Sequence, residues 1–316
     1  MKNIYMFFLF FFSFTSIGNA TEEIEKRSTE EYEEETPWIN GFHSAVSDSV
    51  YMSAAWFDEF FTEEGSVQQN PKVNAKIRLE WRPRSRDWDE IKARFRVKVK
   101  LPHFKNKVDL ILSDEDEADQ SQLPLETTHI QPEEEKFSAS LRYMHTNSKN
   151  KYTDTRLGIS GGDIFVRARH KRYFNWSENS AFKVEPSIFY FLGDGFGSRL
   201  LLEYNFQEDQ KTQYRINYSI EGSESFSGIR WKHGLYRLKH LDEKTASVTS
   251  FQVEGERNGE RDFVVDNYTL SYRYRFNAYK KWLFFEIEPF LEWPEIENYT
   301  TTPGIAFRVE GYFYKG

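Results

Sequence analysis

"IKARFRVKVKL", residues 91–101, sets Lys92, Arg94, Arg96, Lys98 and Lys100 in strict alternation with Ile91, Ala93, Phe95, Val97, Val99 and Leu101. Successive side chains of a β-strand point to opposite faces, so the spacing predicts a strand with one basic and one apolar face. A wall with hydrocarbon on one side and water on the other satisfies both faces at once. That is the wall of a transmembrane β-barrel.

The same period of two runs from Lys72 to the end of the chain. Around residues 73–81, Ala75, Ile77, Leu79 and Trp81 alternate with Lys76, Arg78 and Glu80. Ile164, Val166 and Ala168 alternate with Arg167, Arg169 and Lys171, and Ile305, Phe307, Val309, Gly311 and Phe313 with Ala306, Arg308, Glu310 and Tyr312. Segments of about ten residues separated by turn signals predict a single antiparallel all-β barrel over residues 72–314, of about fourteen strands. These fall near 73–82, 91–101, 107–113, 136–146, 152–161, 163–173, 181–192, 198–206, 212–221, 226–238, 245–256, 262–276, 281–293 and 303–313. Twelve is the alternative, because the third segment is short and the eleventh poorly patterned. A soluble two-sheet β-protein is the other architecture. It would bury its apolar faces against each other under an ordinary mixed surface, whereas here aromatic faces recur and the polar faces are rich in arginine. Tyr173, Phe174, Trp176, Trp282, Trp293, Tyr312 and Phe313, near strand ends, are expected to form interfacial girdles.

The chain opens with "MKNIYMFFLFFFSFTSIGNA", which has the charge, the apolar core and the small residues of a secretory leader over residues 1–20. Its apolar core falls short of the ~20 residues of a spanning helix. Residues 21–46 begin with "TEEIEKRSTEEYEEET" and are expected to be a disordered acidic periplasmic tail. Val50, Ala54, Phe57 and Phe61 then follow helical spacing and predict an amphipathic helix over 47–62.

There are no cysteines, which excludes disulfides and thiolate chemistry. The formal charge of −8 conceals a basic body. Without the leader the chain carries −9, of which residues 21–36 supply −6 and residues 114–135 another −9, leaving the remainder at +6. With the amino terminus in the periplasm, the acidic connection at 114–135 and the glycine-rich tips fall outside the cell.

The signal peptide, the alternating strands and the closing "GIAFRVEGYF" resemble Gram-negative outer-membrane barrels, whose last strand ends in an aromatic recognised by the assembly machinery. Here Phe313 is instead followed by Tyr314, Lys315 and Gly316. "WFDEFF", "RFRVKVKLP", "ERNGERDFVVDNYTLSYRYRFNA" and "NYTTTPGIAFRVEGYF" resemble an uncharacterised family of proteobacterial outer-membrane proteins, a resemblance that covers most of the chain and implies no activity.

The expected functional residues are the lumen cations Lys92, Arg94, Arg96, Lys98, Lys100, Arg167, Arg169, Lys171, Arg273, Arg275 and Arg308, read as an anion path or an ion-pair network. Excess cations in a low-dielectric wall favour anions, and arginine suits carboxylates and phosphates. The function read from the residues is a small passive channel for small anions or acidic sugars; the alternative is a closed structural or adaptor barrel. An outer-membrane hydrolase using His145, Asn147 and Ser148 is a weaker alternative, because "TNSKN" reads as turn chemistry. Neither a metal site nor a cofactor nor a nucleic-acid partner is expected: the histidines lack ligand spacing and the cations alternate inward. The expected partners are outer-membrane lipid and, during biogenesis, the barrel-assembly machinery.

Overall fold

The computed structural model describes residues 72–114 and 137–315, apart from positions 86, 89, 102–103, 105–106, 149, 243, 260, 278–279 and 281. The leader, the tail at 21–46, the helix expected at 47–62 and nearly all of the acidic connection lie outside the described residues.

Fourteen strands form one closed antiparallel barrel. They are β1 (Lys72–Trp81), β2 (Ile91–Leu101), β3 (Val108–Ser113), β4 (Ser138–Asn147), β5 (Lys151–Ser160), β6 (Asp163–Ser177) and β7 (Ser180–Phe191). The second half comprises β8 (Gly195–Gln207), β9 (Thr212–Ser223), β10 (Gly228–His240), β11 (Thr245–Asn258), β12 (Arg261–Phe276), β13 (Leu283–Pro294) and β14 (Thr302–Lys315). Each strand pairs with its sequence neighbours, and β1 closes on β14 through pairs such as Arg78↔Glu310 and Glu80↔Arg308. Closure leaves no unpaired edge, the condition for a sheet surrounded by lipid.

The short third segment forms six residues of sheet that pair fully with β2 and with β4. The poorly patterned eleventh forms fourteen, and the reason for its weak signal is visible. Register shifts interrupt its pairing with β12 between Glu254 and Gly255 and again between Glu256 and Asn258. The extra residues of those shifts lie in β12, as at Asp266, while β11 pairs unbroken with β10 from Gly228↔Asn258 to His240↔Ala246. The weak signal comes from its own residues, with Ala246 and Val248 on the inward face and Ser247 and Thr249 on the other.

Turns alternate between two rims. The connections at 82–90, 114–137, 161–162, 192–194, 224–227, 259–260 and 295–301 share one rim; those at 102–107, 148–150, 178–179, 208–211, 241–244 and 277–282 share the other. Gly161 and Gly162, at φ 57° and 85°, make the two-residue β5–β6 turn, a conformation glycine adopts without steric cost.

Burial is inverted relative to a soluble protein. Leu157, Ile188, Ile216 and Leu235 are at least half exposed on the outer wall, whereas charged and hydroxylic side chains dominate the buried set. At the start of β1 and the end of β2 the outer face carries an apolar cluster of Val73, Val99 and Leu101, joined by Val108 and Leu110. The expected girdle needs correction at two positions. Phe174, Trp176, Trp293 and Phe313 stand on the outer face, but Tyr173 and Tyr312 point inward, paired across strands with Lys183 and Lys76. Their parity with Lys171 and Glu310 dictates this, whatever their aromatic character.

Candidate functional site, the charged lumen of the barrel

The cations named above share with the buried Glu80, Asp154 and Glu310 one face of the sheet, and the groups they meet differ from one sector of the wall to another.

Strands β12 to β1 carry a dense ion-pair network. Glu288 accepts from Arg273 at 3.0 Å and also from Arg308, which reaches Glu80 as well. Arg78 adds a 3.1 Å bond to Glu80. Glu310 is shared by Lys76 at 3.2 Å, Arg275 at 2.8 Å and the Tyr312 hydroxyl at 3.0 Å. Arg275 also donates to Glu286 at 2.6 Å and lies 4.4 Å over the Phe284 ring. Arg273, Glu286, Glu288, Arg308 and Glu310 are at most 2% exposed. Ionised groups this dry are tolerable only when fully paired, because each loses its hydration.

From β2 to β7 the balance is different. Asp109 serves both Arg142, through a 3.0 Å bond, and Lys98 at 3.5 Å. Asp154 takes a two-pronged contact from Arg169, at 3.1 and 3.0 Å, and lies 3.5 Å from Arg156. Glu185 is shared by Arg169 at 3.5 Å and Lys171 at 3.2 Å. Cations also face cations directly across strands: Lys76↔Arg96, Arg78↔Arg94, Arg142↔Arg156 and Arg156↔Arg167. Neighbouring Cα atoms in such pairs are about 5 Å apart.

Between these charges β11 and β12 carry a neutral patch, flanked on β10 and β11 by the opposed pairs Lys232↔Glu254 and Arg230↔Glu256. Ser250 and Ser271 share a 2.8 Å hydrogen bond, Gln252 donates to Ser250 at 3.3 Å, and Asn267 to Thr269 at 2.9 Å. Inward aromatics pack on glycines in the adjacent strand: Phe189 on Gly197 and Phe290 on Gly304. A Cβ at either glycine would lie 2.2 Å from a ring atom. Arg167 covers Phe189 at 5.6 Å and Arg82 covers Phe290 at 4.4 Å.

The sequence reading of the lumen overlooked Asp109, Asp154 and Glu292, which all hold buried partners. Their positions in the inward half of each alternation were the available signal. His145 and Ser148 do not meet: the His145 ring is 2.8 Å from the Thr155 hydroxyl on the outer wall, and Ser148 bonds the Lys151 carbonyl at 3.2 Å. They serve the wall and the turn.

No protein-family model matches the sequence, and no curated protein matches it. Solved structures do. A loop-deletion form of OmpT, an outer membrane protein of Vibrio cholerae, aligns at a TM-score of 0.52 and 7% identity, over 77% of this chain and 99% of that one. In-vitro folded OmpT aligns at 0.51 and 6% identity, over 79% and 100%. The NanC porin aligns over 77% and 100% at a TM-score of 0.39 and 6% identity, too distant to enter the argument. The likeness is one of fold. The chain has the closed antiparallel barrel fold of these outer-membrane proteins.

Proposed function

We propose that this barrel is a passive outer-membrane channel whose lumen favours small anions, with carboxylate-bearing sugars and organic acids as the fitting cargo. One observation carries the reading. On β2 through β6, inward cations stand opposite one another across strands, and among the described residues Asp109 and Asp154 each serve more than one of them. A water-filled, low-dielectric wall of that composition focuses positive potential and raises the local concentration of anions. The longest connection, 114–137, supports placing its rim outside the cell and the 148–150 rim in the periplasm, since such barrels carry short periplasmic turns.

A second reading rests on the dryness of the β12–β1 network. Carboxylates at 0–1% exposure suit a barrel whose wall is crosslinked shut and which serves the envelope structurally. Refolded protein in a planar bilayer separates the two. A channel gives unitary conductance with an anion-side reversal potential under a salt gradient; correctly folded protein that never conducts makes the barrel a closed one.

A further inference from the structure

The outer wall of β4–β6 is apolar where hydrocarbon should touch it, with Leu141, Leu157, Ile159, Ile164 and Val166 all exposed. Toward the rim of the 148–150 turn its character changes abruptly. The His145 ring meets the Thr155 hydroxyl at 2.8 Å, and the Thr153 hydroxyl meets His170 at 2.8 Å, making two polar rungs across neighbouring strands. Beyond them Lys151 stands directly opposite Arg172, and both are exposed. Like charges directly opposite on one face oppose strand pairing. Among the described residues neither cation has an ion-pair partner, and the Arg172 guanidinium lies 4.8 Å over the Phe174 ring. Stacking leaves the N–H edge of that guanidinium available to an anion.

A groove of about 270 Å³ lies on the same wall, lined by Leu101, Phe104, Val108, Leu141, Tyr143 and Leu157, with Arg142 and Thr155 as its polar members. It sits beside β3, whose six residues pair with β4 only as far as Tyr143 and leave Met144 to bond the 102–107 connection. Thr155 and Lys151 are four positions apart on one face of β5, about 13 Å at strand rise. Groove and cations are thus spaced as the upper acyl chain and the phosphate of a glycerophospholipid are.

We infer that this face holds one anionic phospholipid of the periplasmic leaflet, its phosphate between Lys151 and Arg172 and an acyl chain in the groove. The choice of leaflet rests on the orientation proposed above. A zwitterionic lipid fits poorly, because its ammonium would approach two cations with no described carboxylate on that face. A phosphatidylglycerol headgroup brings net negative charge, and its hydroxyls find the His145–Thr155 and Thr153–His170 rungs.

Native mass spectrometry of the full protein tests this, with phosphatidylglycerol, phosphatidylethanolamine of matched chains and lipid A offered in equal amounts. Wild type should retain phosphatidylglycerol over phosphatidylethanolamine by a factor on the order of ten. Lys151→Ser with Arg172→Ser should abolish the preference, whereas Lys151→Arg with Arg172→Lys should keep it. Leu157→Ser, which leaves the cations in place, should weaken retention of both phospholipids. Equal retention by wild type, or a preference that survives the serine pair, overturns the site. Lipid A displacing phosphatidylglycerol from the same cations overturns the leaflet and with it the orientation, while leaving conductance unaffected. If the serine pair fails to assemble, the arginine–lysine exchange and Leu157→Ser still decide.

Discussion

At the scale of single residues, Arg308 shows how much of this wall depends on shared partners. It bridges Glu80 on β1 and Glu288 on β13 from its place on β14, and it is 2% exposed. Removing one member of a buried ion pair strands the others without solvent, at a cost of about 3–5 kcal/mol. Arg308→Met should therefore lower the urea midpoint of refolded protein far more than Lys76→Met, whose side chain is 19% exposed at the edge of the same network. Equal midpoints would mean that the network carries no stability. The turns show a second residue-scale device that alternation cannot reveal. Asp209 accepts the backbone N–H groups of Lys211 at 2.6 Å and Thr212 at 2.7 Å, and Asp242 accepts that of Lys244 at 2.8 Å. The sequence Asp-x-Lys-Thr thus closes β8–β9 and β10–β11 alike, an Asx-type turn. The Lys211 N–H, then that of Thr212, holds the Asp209 carboxyl below its usual range. A lowered folded value contributes stability above the ordinary carboxylate pKa and loses it as pH falls through the lowered one. A carbon-detected titration should put the Asp209 midpoint below ~3.9; a midpoint at or above that would remove the turn from this account.

At the scale of elements, β2 offers the sharpest test of which face meets lipid. Its inward row Lys92, Arg94, Arg96, Lys98 and Lys100 pairs across to β1, and Phe95 on the opposite face stacks on Phe137 at 6.2 Å. Phe95→Arg should impair assembly by ~2–4 kcal/mol if it lies near the midplane, and Arg94→Ser by much less. Heat-modifiable gel mobility reads both; equal assembly of the two would put lipid on the wrong side. Strand positions such as these were legible because side-chain period and environment agree over whole strands. Legibility ended where that agreement breaks. Ala246 and Val248 on one face against Ser247 and Thr249 on the other blur β11, inward Tyr173 and Tyr312 resemble girdle residues by type alone, and Asp109 and Asp154 are single acids among many cations. Which cation meets which carboxylate depends on cross-strand register, and sequence spacing within one strand carries no information about it.

At the scale of the whole molecule, the channel proposed above would divide its lumen charge between two tasks, and the division can be tested. The β12–β1 network pairs nearly every charge it carries and sits almost dry, so its cations present little net potential to a passing ion. The β2–β6 sector sets cations opposite cations, and Arg94, Arg96 and Lys98 remain partly exposed. Selectivity should therefore follow the second sector and stability the first. In planar bilayers under a salt gradient, Arg94, Arg96 and Lys98 replaced together by Ser should move the reversal potential toward neutrality while the barrel still assembles. Raising the salt should erode wild-type selectivity in the same direction, as the screening length shrinks from ~10 Å at 0.1 M to ~3 Å at 1 M. Arg273→Met should do the reverse, lowering stability and leaving the reversal potential nearly unchanged, because its loss is felt by Glu286 and Glu288 inside the wall. A reversal potential that moves with Arg273 and ignores the β2 triple would assign ion selection to the network, and the anion path would then run along β12–β1.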